Sequence, residues 1–519
     1  MPGWVPGFEG IICPFCAWLK SFASAPMLRI FLLLLLGLGA YPAAAQDQPY
    51  LPYYSPDTSR VYQLAVAQRG AVKAHFEIPK AGRSDYREHY RRAVQEVADD
   101  VFNTVRHAAL LDPVLEPYVQ QVFARILAAN PLLPAGARLV LTRNPEPNAR
   151  AVGNGTVLLN VGLLPRLEND SQLAFILCHE LAHVACRHME TGLREHLTAV
   201  HSQELRREFR RIINSEYNIG SQIKALALGF SLNTSYHSRR HEQQADSLGY
   251  VLLARTAYEA PQAYRALQLL DTIDEPETAA PVALPTYFSC ANFPRPLVAA
   301  ARPASIFTVQ ATATVLETTD TLKSHPDCAK RMRYLHKLAR GQVADGPPAT
   351  PAVAFARIRA ISRLEVVQSW FDYDCYDHAL FEALQLLPQQ PQSAYLRSVV
   401  VLSLFGLRQH LQAHTYNAVV SNTSKHNPAN FNELLRVLHG LRYEDFAGLS
   451  ACFAQATGLA AAAPADEYAL AARYAASALA TEPAAAAALR AQYQQQYARG
   501  KFGPLLFPAP RPKNGAGRR

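Results

Sequence analysis

The sequence predicts an α+β protein: a mainly helical domain built around a small β-sheet, followed by an all-α domain. Three observations carry this. Helical patterns run through 84–130, two short β patterns lie at 137–143 and 155–164, and everything beyond a Gly/Pro-rich stretch at 341–351 reads as helical. A chain of 519 residues exceeds one typical domain, and 49% hydrophobic with 18% charged residues excludes a disordered or multispan membrane protein. The formal charge of +9 is spread without a Lys/Arg block. That fits a solvated basic surface, compatible with peripheral membrane association, and argues against a nucleic-acid partner.

The segment MLRIFLLLLLGLGAYPAAAQ at 27–46 has an Arg, an apolar run and then Ala43-Ala44-Ala45. This is the layout of a secretory signal peptide, so residues 1–45 are read as a leader and the chain as exported, periplasmic or secreted. Met27 is the better-placed start, with a long leader from Met1 as the alternative. No later stretch reaches the ~20 apolar residues that a membrane span needs, including 219–236. Residues 46–83, rich in Pro and Tyr over 46–60, read as an extended lead-in to a domain spanning 84–340.

Within that domain two helical patterns are separated by Asp112-Pro113, and PEPNARAVGN connects the two β patterns. Asp170 or Ser171 suits the N-cap of the next helix. A polar, basic helical stretch covers 191–217, another helix runs over about 235–255, and Pro/Ala/Thr-rich 273–310 reads as a long loop. Residues 341–351 are the linker, 352–505 the helical domain and 506–519 a disordered tail. Ala383-Leu384 with Pro388, echoed at 478–483, gives the helical domain a weak tetratricopeptide character; 95 residues between the Ala-Leu pairs does not fit a 34-residue period, and a generic helical bundle is an equal reading.

Eight cysteines include Cys13 and Cys16 in the leader. Cys178 and Cys186, eight apart on one helix, stand roughly 12 Å from each other and cannot bridge. Export permits a Cys290–Cys328 bond; small buried thiols are the alternative for all six remaining cysteines.

One helix raises a chemical question. ILCHELAHVACRH at 176–188 places His179, Glu180 and His183 among apolar residues. Side chains at i and i+4 project from one face, so the two imidazoles can share a metal ion. Glu180 sits about 100° around the helix from His179, beside such an ion instead of on it. Two core histidines beside a solvated Glu is the plainer reading, but burying these groups without a partner is costly. Glu242 on the later helix offers a third ligand, and Asp246 one turn on could accept a ligand histidine's free N–H; surface charge is the plain alternative for both. His188, His196, His201 and His241 suit ordinary polar roles, and Cys178 suits core packing.

Five elements in order over about 84–340 resemble the HtpX-like and CAAX-prenyl-protease family of gluzincin metallopeptidases. They are Asn148-Ala149, Gly162-Leu163-Leu164, the HExxH at 179–183, Ser238-Arg239 through Glu242 to Asp246, and Ser324-His325-Pro326 with Arg331 and Leu335. The absence of apolar spans beside the motif resembles the exported, BepA-type branch, which pairs this domain with tetratricopeptide repeats. The resemblance implies a zincin-type fold and one zinc ion held by His179, His183 and Glu242, with Glu180 as general base and Asp246 in support. It also implies an edge strand from Thr156 to Val161 that would hold an extended substrate, with Asn148, Thr156, Leu158 and Asn160 as the substrate-strand residues. His325 would stabilise an oxyanion, plug the metal or simply pack. The implied activity is endopeptidase action on exported or envelope proteins in quality control, with polypeptide substrates and protein partners at the C-terminal helices. The rival reading is a chaperone or assembly scaffold whose protease site is plugged or little used.

Overall fold

A computed structural model describes residues 50–54, 58–80, 84–202, 207, 239–271, 284–291, 293, 328–338, 353–424, 427–459 and 466–508. The chain divides at Tyr50. The leader, the linker at 341–351, His325 and most of 273–310 lie outside the described residues, as do Cys13 and Cys16.

From Leu51 the described residues are mostly helical, with one three-stranded sheet. The lead-in is not extended throughout, because Ser59–His75 forms a 17-residue helix, α1. Its interior lacks proline, and Ala65, Gln68 and Val72 recur on one face that packs on α2 (Ser84–Ala108). Tyr90, Val94, Ala98 and Val101 of α2 join α1 and the sheet residues Val140 and Leu158 in one core. The second helix of the 84–130 pair is α3, Leu115–Ala129, with Asp112 Oδ1 accepting from the Val114 and Leu115 N–H groups at its start.

The strands are β1 (Arg138–Thr142), β2 (Ala149–Ala151) and β3 (Thr156–Asn160), in the order β1-β3-β2. β3 pairs parallel with β1 and antiparallel with β2, so it is the central strand. This corrects the expectation of an edge strand at Thr156–Val161. Successive residues Leu158 and Leu159 point to opposite faces and are 1% and 0% exposed, so both faces of β3 are covered. The edge is β2, formed by Ala149, Arg150 and Ala151 from within the stretch read as a connector. Gly162, in the 3₁₀ turn Val161–Arg166, permits this arrangement: a Cβ there would lie 1.9 Å from the Pro145 carbonyl oxygen in the segment leading to β2.

Helix α4 (Asp170–Ala185) follows, capped by Asn169 and not by Asp170 or Ser171: the Asn169 side chain accepts from Gln172 N–H. A left-handed residue, Arg187 (φ 54°), turns the chain into α5 (His188–Val200). That helix accounts for the described start of the basic stretch. Helical residues 239–254 form α6, and Gln262–Asp271 form α7. Within the expected long loop lies a short helix, α8 (Leu284–Phe288), and α9 is Cys328–Leu338.

The C-terminal region is helical, with α10 (Val353–Asp372), α11 (Tyr376–Leu386), α12 (Ala394–Gln412), α13 (Ala429–Gly440), α14 (Asp445–Thr457), α15 (Glu467–Leu479) and α16 (Pro483–Gln496). Ser393 and Asp466 cap α12 and α15 through side-chain oxygens. A four-residue helix, Gly503–Leu506, follows. These helices dock on the first region. α10 packs against the 3₁₀ turn, and Arg143 at the end of β1 bonds Asp372 of α10 (2.8 Å) and the Tyr53 carbonyl (2.8 Å). Asp372 also takes Lys501 Nζ at 2.8 Å.

A disulfide adds a covalent tie. Cys290 bonds Cys452, not the expected Cys328. The reason is tertiary: α8 lies against α14, with Phe288 stacked on Phe453 at 5.9 Å, which brings two cysteines 162 positions apart together. Cys178 is buried as expected, whereas Cys186 is exposed.

Candidate metal centre

Helix α4 is buried almost all round, since it packs against α3, α5, α7 and the sheet. His179 and Glu180 are each 3% exposed at the residue level, and His183 opens slightly more towards the surface. The ligand atoms converge. His179 Nε2 lies 3.0 Å from His183 Nε2 and 3.5 Å from Glu242 Oε2, and His183 Nε2 lies 3.3 Å from Glu242 Oε1. Among the described residues, His179, His183 and Glu242 are the one trio of potential ligands gathered this closely. Ligand atoms about 2.0–2.1 Å from a tetrahedral ion stand about 3.3 Å from one another, which is the spacing found. Two imidazole nitrogens and one carboxylate are also a donor set that zinc accepts, so the residues fit the metal.

α6 can approach α4 because Gly249 faces it. A Cβ at Gly249 would sit 3.1 Å from both the backbone N and the Cα of His179. This places Glu242 opposite the histidines and Asp246 one turn deeper. Asp246, fully buried, stands 3.0 Å from His179 Nδ1. Burial alone would depress the His179 imidazole, but hydrogen bonds to Asp246 and Glu242 outweigh it and lift its pKa to about 10. The site therefore favours positive charge at this nitrogen.

His183 is held differently. Its Nδ1 lies 2.9 Å from His188 Nδ1, and His188 Nε2 lies 3.1 Å from Gln244 Oε1. Burial, with His183 and His241 nearby, pushes the His188 pKa down to about 4, so this ring is neutral at ordinary pH. A neutral His188 that donates Nε2–H to Gln244 has a bare Nδ1, which accepts Nδ1–H from His183. The lone pair of His183 Nε2 then faces the ligand cluster. His188 and Gln244 are thus working members of the site that the sequence did not reveal. The αL turn at Arg187, which folds His188 back under the helix it follows, has no clear sequence signature. His241 stacks on His188 at 4.3 Å, and His201 pairs instead with His89.

Arg331 of α9 closes the base. Its Nε and Nη2 donate to the two Asp246 oxygens at 2.7 Å each, and Nη1 lies 2.9 Å from Glu242 Oε2. Burial would raise the Asp246 carboxyl, but Arg331 and His179 hold it below the usual carboxylate range.

Glu180 and His179 line a narrow cavity with Asn148, Ala149, Phe175 and Arg331. Asn148 and β2 therefore border the site, while the other three substrate-strand residues do not present a free edge. Thr156 Oγ1 donates to Gln68 inside the core, Leu158 is buried, and Asn160 bonds Thr142 and the Glu146 carbonyl.

Comparison with known proteins gives a family match and several relatives. The profile of peptidase family M48 matches residues 113–339. The mitochondrial metalloendopeptidase OMA1 of Schizosaccharomyces pombe is 25% identical over 34% of this chain and 48% of its own length. The beta-barrel assembly-enhancing protease of Escherichia coli K12 is 27% identical over 29% of this chain and 31% of its own. A putative protein of that name from Vibrio cholerae is 28% identical over the same shares. The chain thus spans about a third to a half of the length of these relatives.

Proposed function

We infer, from the match of residues 113–339 to peptidase family M48, a zinc-dependent endopeptidase that acts on exported or envelope proteins in their quality control. The observation that carries the reading is the convergence of His179, His183 and Glu242 from two helices, with Glu180 in the adjoining cavity. Zinc, when bound, supplies Lewis acidity towards the scissile carbonyl and lowers the pKa of its water. Glu180 takes the proton from the attacking water and returns it to the leaving amine. Asp246 and His188 orient the two imidazoles, and Arg331 fixes both carboxylates of α6. An extended substrate adds to the free edge of β2, whose Ala149 borders the cavity; among the described residues β2 pairs only with β3.

Export is supported by the Cys290–Cys452 disulfide, a bond that persists in oxidising compartments. No helix among the described residues is long and apolar enough to cross a membrane. The C-terminal helices, tied to the domain at Arg143 and Cys452, are the surface for protein partners.

The test is digestion of casein by residues 46–519. Cleavage that stops on chelation and returns with zinc supports the reading. An undigested substrate with zinc fully loaded would turn it towards a scaffold.

A further inference from the structure

Beside the metal centre lies a second, larger cleft of about 910 Å³, formed by α6, α7 and α9. Arg239, Arg240, Lys330, Arg331, Arg333 and Lys337 line it, and among the described residues no carboxylate does. Arg331 is engaged by Asp246 and Glu242 at the base, so the field in question is that of the exposed Arg240, Arg333 and Lys337. Tyr264, Tyr334 and His336 stand between them, with Tyr264 and His336 edge-to-face at 6.4 Å and Tyr334 39% exposed. Cations of one sign along a concave, partly apolar wall focus the field and raise the local concentration of an opposite charge.

We propose that this cleft holds an acidic stretch of the polypeptide whose scissile bond lies at the metal centre, so that the enzyme selects substrates with a cluster of Asp or Glu to one side of the cut. Two observations favour a peptide over a lipid surface. The cleft is concave, enclosed by three helices, whereas a bilayer presents a flat face. It also adjoins the catalytic cavity, because Arg331 borders both. The aromatic rings give the backbone and side-chain carbons of such a stretch apolar contact between the charges. The proposal rests on the peptidase reading for its purpose, but the binding it asserts does not need cleavage.

The experiment uses the full chain carrying Glu180→Gln, loaded with zinc, and a fluorescein-labelled 12-residue peptide containing six glutamates. The same peptide with six glutamines is the control, and fluorescence anisotropy reports binding. The acidic peptide is expected to bind about tenfold more tightly, the sum of several screened surface pairs. The preference shrinks as salt rises. A triple variant of the exposed positions, Arg240→Gln with Arg333→Gln and Lys337→Gln, is expected to lose the preference while its circular dichroism stays unchanged. Equal binding of the two peptides overturns the proposal, as does a triple variant that keeps the preference. Phosphatidylglycerol vesicles captured in a cleft-dependent way, with no preference for the acidic peptide, also overturn it and assign the cleft to a membrane. A chain that prefers the acidic peptide yet digests no substrate in its Glu180 form refutes the peptidase reading alone.

Discussion

Replacing Glu180 by glutamine is expected to lower peptide cleavage by roughly 10²–10⁴-fold, the usual worth of a positioned acid–base group, while zinc content stays at one ion per chain. The separation of effects follows from the helix. Glu180 is the neighbour of His179 and shares its cavity, but the trio of converging ligand atoms does not include it. Glutamine has the same shape and keeps the packing of a side chain only 3% exposed, yet its amide cannot accept the water's proton. The variant is therefore expected to bind substrate and metal and to stall at the proton transfer. Wild-type turnover by Glu180→Gln would remove Glu180 from the chemistry. Loss of zinc along with activity would make it a ligand instead.

Arg331→Ala is expected to have the largest effect on stability. It leaves Asp246 and Glu242, 0% and 6% exposed, close together without their guanidinium. Removing one partner of a buried ion pair typically costs about 3–5 kcal/mol. Thermal unfolding should show this as a fall of several degrees, and the disordered support should weaken zinc affinity by about 10–100-fold. Arg331→Lys should rescue little, because one ammonium cannot reproduce a fork that meets two oxygens of Asp246 and one of Glu242. The pH dependence has a definite sign. Asp246 is held below its unfolded value, so its contribution to stability is complete above about pH 4 and is lost as pH falls through the lower folded value. Wild type and Arg331→Ala should therefore converge in stability at acidic pH. A variant as stable as wild type at neutral pH would mean that Arg331 is not the group that compensates these carboxylates.

Local patterns carried much of this site into view. The i, i+4 histidines and their Glu are readable because a helix converts spacing into direction without reference to the rest of the fold. Glu242 and Asp246 stand on a separate helix, where their residue types and spacing made them candidates and the family resemblance joined them to the histidines; what brings the two helices together is Gly249, whose missing Cβ gives no signal until its neighbour is known. The helical C-terminal region was legible from periodicity, and its attachment was not, because Arg143–Asp372 and Cys290–Cys452 join positions far apart in the chain. The sheet was misread at its edge for a different reason. β2 has three residues among turn-forming neighbours, too short for an alternation pattern, so the edge that the resemblance implies falls on β3, the strand that does carry one. α1 was hidden by the prolines that precede it.

In the proposed enzyme α4 and α6 grip one metal ion between them. Anomalous diffraction at the zinc edge from crystals of the full chain tests it most directly. One strong peak is expected, bonded at about 2.0–2.2 Å to His179 Nε2, His183 Nε2 and the Glu242 carboxylate. A zinc-supplemented crystal with no peak there, or a peak held by other side chains with Glu242 beyond bonding reach, would contradict it.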